Sequence, residues 1–145
     1  MFKLLPTALE EINFKKDMKS LHAGGFCSFE GWVRDVNDGR NVVALEYEAV
    51  ESLCENEMQK IFAEARQKFQ VMEMQCFHRV GKLAVGEMAV WIGVTGVHRD
   101  EAFKACRYLI DEIKKRLPIW KKEYYSDGQS SWVNCSCSTH AAHYQ

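Results

Sequence analysis

The sequence predicts a single α+β domain, with helices packed on a mixed or antiparallel sheet. Three observations predict it. The chain has 145 residues, 47% of them hydrophobic and only two of them proline, which suits one folded core rather than a disordered or linker-type chain. Two long stretches repeat apolar residues at the 3.6-residue period of a helix. The stretches around them alternate apolar with polar residues or run continuously apolar, as strands do.

Residues 10–21 read as a short helix, with Ile12, Phe14, Met18 and Leu21 as its apolar stripe and Gly24-Gly25 as its stop. Residues 26–33 read as a strand of mixed pattern. In residues 43–48, Val43, Leu45 and Tyr47 alternate with Ala44, Glu46 and Glu48, as in a half-buried strand. The turn signal Asn37-Asp38-Gly39 lies between these two strands and predicts a hairpin. Residues 50–69 are the clearest helix, apolar at 50, 53, 54, 58, 61, 62, 65 and 69. Met72, Met74 and Cys76 alternate with Glu73 and Gln75, a third strand that ends at His78-Arg79-Val80-Gly81. Residues 87–95 are almost all apolar, which predicts a strand covered on both faces.

The second long helix begins near His98 and stops at Pro118, which cannot continue it. Its stripe is Ala102, Phe103, Cys106, Leu109, Ile110, Ile113 and Leu117, and Asp100 and Glu101 in its first turn suit the helix dipole. Residues 119–125 read as a last strand, with Trp132-Val133 as a packed segment after it. Trp32, Trp91 and Trp120 read as packing residues, because aromatics dominate cores. The element order is α, β, β, α, β, β, α, β. Residues 1–134 are then the domain, and 135–145 a flexible tail rich in Cys and His.

The net charge is −1, from 19 Lys and Arg against 20 Asp and Glu, which argues against a nucleic-acid binder. The charge is segregated. Residues 41–58 hold five acids and no Lys or Arg, whereas residues 98–122 hold eight bases and four acids. No apolar run approaches the ~20 residues of a membrane helix, and the amino end lacks the apolar core of a signal peptide. The chain reads as cytoplasmic, with no membrane partner. Cys27, Cys54, Cys76 and Cys106 sit singly in apolar patterns and read as reduced core residues. In the tail, Cys135, Cys137, His140 and His143 are metal-ligand types, but their spacing matches no recognised structural zinc site, so no metal is expected. The nucleotide-binding, phosphate-loop, serine-hydrolase and zinc-protease signatures are absent, and no cofactor is expected.

What remains is a set of basic residues at element ends. Arg34 closes the first strand, His78 and Arg79 the third, and His98 and Arg99 open the second long helix. Lys114 lies near the end of that helix, and Lys121 follows across Pro118. The proline break lets the two lysines converge or diverge. If they converge beside Arg34 or Arg99, mutual repulsion depresses a lysine pKa and makes an amine more nucleophilic. The plain readings are a solvated helix end for Lys114-Lys115-Arg116, loop histidines for His78 and His98, and a surface residue for Arg34.

Taken together, Phe29-Glu-Gly-Trp-Val-Arg34-Asp, Leu45-Glu-Tyr-Glu, His78-Arg-Val-Gly81, Gly93-Val-Thr-Gly-Val-His98-Arg99, Lys114 and Pro118-Ile-Trp-Lys121-Lys-Glu resemble the MoaE family, the catalytic (large) subunit of molybdopterin synthase. The blocks run in order across residues 26–133. The resemblance implies an α+β fold of that family's hammerhead type and a homodimer within a heterotetramer. Each protomer would bind a small ubiquitin-like sulfur carrier with a C-terminal Gly-Gly thiocarboxylate. The implied reaction delivers sulfur to cyclic pyranopterin monophosphate and forms the molybdopterin dithiolene of molybdenum cofactor biosynthesis.

Matched residue by residue, the resemblance implies Lys114 and Lys121 as catalytic, and Phe29, Arg34, His98 and Arg99 as substrate-binding. A C-terminal pocket arginine of some members has no counterpart, since Asn134-Cys-Ser136 stands there. The charges fit that chemistry: substrate and partner tail are both anions, and arginines suit bidentate phosphate contact. The competing reading is a non-catalytic dimeric scaffold that captures a ubiquitin-like tail without consuming the pterin. A third is an enzyme acting alone on another small phosphate ester.

Overall fold

The continuously apolar stretch becomes the centre of the molecule. It forms β7 (Met88–Gly96), buried along its whole length. Successive side chains of a strand point to opposite faces, and here both faces are covered, as the pattern predicted. Val90, Ile92 and Val94 face a core built with Cys54, Met58 and Ile61 and with Ala105, Leu109 and Ile113. Trp91 faces a second cluster of Leu9, Phe14, Met18, Phe77 and Met88. Phe14 stacks on the indole at 4.2 Å. Gly93 makes room for that ring, since a Cβ there would lie 2.2 Å from it.

The structure is a computed structural model and describes residues 1–133. The other elements are β1 (Phe2–Leu5), a single 3-10 turn (Phe14–Asp17), β2 (Gly25–Trp32), β3 (Val36–Asn37), β4 (Arg40–Ala49), α1 (Glu51–Lys68), β5 (Val71–Arg79), β6 (Gly81–Ala84), α2 (Arg99–Arg116), β8 (Ile119–Tyr125) and β9 (Ser130–Val133). They make an α+β fold with two sheets. One has the order β1-β5-β7-β2, with β1 parallel to β5 and the rest antiparallel. The other runs β3-β4-β8-β9, with β6 also paired to β4. The two helices pack on the first sheet. A third cluster, including Val33, Leu45, Leu83, Ala89 and Tyr125, joins residues of both sheets. No helix of the described residues is long and apolar enough to cross a membrane.

Several expectations are corrected. The helix over residues 10–21 is a single 3-10 turn, and β1 precedes it. Burial explains this: Leu9, Phe14 and Met18 each reach the Trp91 cluster, while Leu21 is 97% exposed, so no common helical stripe exists. The hairpin between the first two strands does not form. β2 pairs with β7, and the turn at Asp38 (φ 49°) and Gly39 (φ 76°) joins β3 to β4 instead. Burial of β5 does not alternate, because its second half, from Met74 to Arg79, is covered on both faces, with Met74 and Cys76 in the helix-side core and Phe77 in the Trp91 cluster. Phe103 points outward from α2, and Ala105 takes its place in the buried stripe. Trp32, Trp120 and Trp132 are exposed, and only Trp91 of the tryptophans singled out is a core residue. Cys54, Cys76 and Cys106 are buried, and half-buried Cys27 packs against the same core. The tail at 135–145 lies outside the described residues.

Candidate active site

Where the two sheets meet the end of α2, a cavity of about 440 Å³ opens. Its walls include Phe29 from β2, Arg34, Tyr47 from β4, His78 from β5, Lys114 from α2, and Lys121 and Glu123 from β8. Four of the six residues expected at the site are thus brought together: Phe29, Arg34, Lys114 and Lys121.

Each is placed by local structure. Arg34 follows Val33, whose N–H donates to the Glu87 carbonyl at 3.0 Å and whose carbonyl accepts from the Gly86 N–H at 2.8 Å. Lys114 sits in the last turn of α2. Pro118 then ends the helical course, and Ile119 begins β8 with its N–H on the Leu117 carbonyl at 2.8 Å. In β8, Lys121 stands directly opposite Tyr47 of β4. Directly opposite residues share a sheet face, so Lys121 projects with Tyr47 into the cavity that Lys114 enters from the helix. The proline break makes the lysines converge.

Two further polar residues of the wall, Glu123 and His78, are held by hydrogen bonds. Glu123 is 3% exposed, and its carboxylate accepts from Asn37 Nδ2 at 3.0 Å on both oxygens and from the Tyr125 hydroxyl at 2.9 Å. These three hydrogen bonds hold the Glu123 carboxyl in a fixed place in the wall. His78 is 8% exposed, meets Tyr47 edge-on at 5.0 Å, and has Nδ1 2.7 Å from the Arg79 carbonyl. A carbonyl only accepts, so Nδ1 carries the ring hydrogen and Nε2 is the ring's acceptor. Burial holds the imidazole down to about 4; the Arg79 bond opposes this and the nearby Lys114 charge adds to it. His78 is therefore neutral near pH 7.

His98 and Arg99 are placed elsewhere. His98 is the residue just before α2, at its N-terminus, and Arg99 is the helix's first residue. Fifteen residues separate Arg99 from Lys114, about 22 Å of helix. They lie against the start of β2, where a Cβ at Gly25 would be 3.1 Å from Arg99 Cα. They do not line this chain's cavity.

Sequence reasoning missed Tyr47 and Glu123, and it placed His78 at a strand end, with a loop histidine as the plain reading, but not among the site residues. Glu123 had a signal, since it lies two positions from Lys121 on one strand and so shares its face. His78 had none: burial of β5 on both faces comes from long-range packing, of Met74 and Cys76 in one core cluster and of Phe77 in the other.

Comparison with known proteins gives a consistent result. Residues 6–116 match the family model described as MoaE protein. A molybdopterin synthase catalytic subunit of Synechococcus elongatus is 50% identical over 117 residues, 79% of this chain and 71% of that protein. One of Thermoplasma volcanium is 42% identical over 110 residues, 76% of this chain and 80% of that protein. The crystal structure of molybdopterin synthase from Staphylococcus aureus superposes with a TM-score of 0.80 at 32% identity, covering 91% of this chain and 94% of that one.

Proposed function

The chain belongs to the MoaE family, and on that premise we propose that it is the catalytic subunit of a molybdopterin synthase. It transfers sulfur from the C-terminal thiocarboxylate of a small ubiquitin-like partner to cyclic pyranopterin monophosphate, forming the dithiolene. The observation that carries this reading is the convergence of Lys114, Lys121 and Arg34 in one cavity.

The chemistry follows from the charges. Arg34 offers a planar, permanently charged fork to the substrate phosphate, and Phe29 provides an apolar wall. When the thiocarboxylate sulfur bonds to a pterin carbon, a carbon–oxygen bond of the substrate breaks, its oxygen leaves, and the partner's terminal glycine remains as a thioester acyl group on that sulfur. Attack on the thioester carbonyl, by water or by the Lys114 amine, passes through a tetrahedral oxyanion and leaves the sulfur on the pterin as a thiolate. Lys114 is the central catalytic lysine, attacking that acyl group or meeting the oxyanion by charge; Lys121 holds substrate and stabilises the oxyanion. Neutral His78 beside Lys114 adds no further positive charge to the wall.

The assembly is a homodimer of this chain with one small subunit on each protomer. The ~22 Å between Arg99 and Lys114 along α2 supports a site completed across the dimer, with His98 and Arg99 serving the cavity of the second protomer. A cytoplasmic location, where thiols stay reduced, suits the free Cys54, Cys76 and Cys106.

The test is to mix the purified chain with thiocarboxylated small subunit and the cyclic pterin, and to follow sulfur incorporation by mass. Lys114→Ala and Lys121→Ala are each expected to lose activity by about 100-fold or more while circular dichroism stays unchanged. Full activity in both variants overturns the catalytic assignment. Binding of the partner with no consumption of the pterin would mark a scaffold.

A further inference from the structure

Behind the cavity wall lies a charged side chain whose partners are incomplete. Arg79, at the end of β5, is 6% exposed. Its Nη2 reaches the Lys82 carbonyl at 3.4 Å, and its Nη1 lies 3.8 Å from Glu87 Oε1. Nε and Nη1 make no hydrogen bond. A buried guanidinium held this loosely is costly, and an apolar side chain of similar size is often neutral or stabilising in such a place. The fold's stability therefore gives little reason for an arginine here.

The groups it does touch give another reason. Glu87 folds the connection between β6 and β7: its Oε2 accepts the Ala84 N–H at 2.6 Å, and its own N–H donates to the Ala84 carbonyl at 3.2 Å. The same turn grips Val33 twice, through the Glu87 carbonyl and the Gly86 N–H. Val33 is 4% exposed, and the next residue is Arg34, in the cavity. Arg79 thus touches both sides of a turn, through a hydrogen bond to the Lys82 carbonyl and a charge contact with Glu87, and that turn sets the backbone from which Arg34 departs.

We propose that Arg79 is a positioning residue for sulfur transfer, acting through the Glu87 turn to aim Arg34 at the substrate's phosphate. This rests on the reading of Arg34 as the anion contact. A guanidinium fork makes two parallel bonds to a phosphate only when its base is held in orientation. Loosening the turn lets Arg34 wander. The loss falls on an interaction made equally in the bound substrate and in the transition state, so it appears in KM rather than in kcat.

The experiment uses the chain with its thiocarboxylated partner, and measures steady-state kinetics against cyclic pyranopterin monophosphate together with thermal melting. Arg34→Ala is the reference and is expected to raise KM about tenfold or more. Arg79→Met should raise KM by about tenfold, leave kcat within about twofold, and leave the melting temperature unchanged or higher. Glu87→Gln, at a less buried position, should raise KM in the same direction, and it decides the matter if Arg79→Met does not fold. The double variant Arg34→Ala/Arg79→Met should be no worse than Arg34→Ala alone, because both changes remove one contact. Unchanged KM in both Arg79→Met and Glu87→Gln, with Arg34→Ala impaired, overturns the positioning role, and so does a fully additive double variant. An unchanged KM in Arg34→Ala instead overturns the anion-contact reading, and leaves Arg79 nothing to aim.

Discussion

The neutrality of His78 has a measurable consequence. Its ordinary value is 6.5 and burial holds it near 4 in the fold. The unfolded chain then binds the proton more tightly, so stability falls as pH drops from 6.5 toward 4 and is fully present above 6.5. The difference amounts to roughly 2–3 kcal/mol between pH 7 and 4.5. Urea unfolding at those two pH values measures it. His78→Gln, which still offers an N–H to the Arg79 carbonyl, is expected to lose less stability over that range than the parent chain. An identical loss in both would show that His78 does not titrate as described. The sequence shows His78 as a histidine at a strand end and no more. Its buried, neutral state depends on Tyr47, 31 positions earlier in the chain, and on the inward half of β5. Lys114 and Lys121 were more legible, because their separation by a proline is a local fact and only its geometric outcome needed the fold.

The helices are held together by charge as well as by packing. Arg116, two residues beyond Lys114, bonds Glu57 at 2.7 Å, Glu64 at 2.5 Å and Glu112 at 3.3 Å, while the Tyr108 hydroxyl bonds Glu64 at 2.6 Å. The acids on the outer face of α1 thus serve the end of α2, which accounts for part of the charge segregation in the sequence. The Arg116 and Tyr108 bonds hold the Glu64 carboxyl down to about 2 from its usual 4.5. A depressed carboxyl contributes stability above pH 4.5 and loses it as pH falls toward 2. A carbon-detected NMR titration should place the Glu64 midpoint well below 4.5, and Arg116→Met should return it toward 4.5. A normal midpoint in the parent chain would mean that the clasp is not formed in solution. Periodicity found both helices because each buries one continuous stripe on the sheet. It failed for residues 10–21, whose apolar side chains enter a pocket from a winding backbone.

On the scale of the whole molecule, the one long element that spans from cavity to far end is α2, with Lys114 near one end and Arg99 at the other. If each site uses Lys114 of one protomer and Arg99 of the second, chains inactivated at different ends can repair each other. Lys114→Ala and Arg99→Ala homodimers, mixed and allowed to exchange subunits, are expected to regain about a quarter of full activity, since half the dimers are mixed and each has one intact site of two. No recovery after demonstrated exchange would place both residues in one protomer's site. The architecture class, both helices and the central strand were readable from composition and period. The pairing of β2 with β7 was not, because a long-range partner leaves no mark on local alternation.

The junction at Pro118 also limits how this chain can change length over evolutionary time. Lys114 is phased by a helix, which turns about 100° per residue, and Lys121 by a strand, which alternates sides at each residue. A single inserted or deleted residue between Leu117 and Ile119 would turn Lys121 and Glu123 away from the cavity together and bring Lys122 round in their place. The turn after β8, at Asp127 and Gly128, phases neither lysine. Length variation should therefore collect there, in the loop, while the spacing from Lys114 to Lys121 stays fixed.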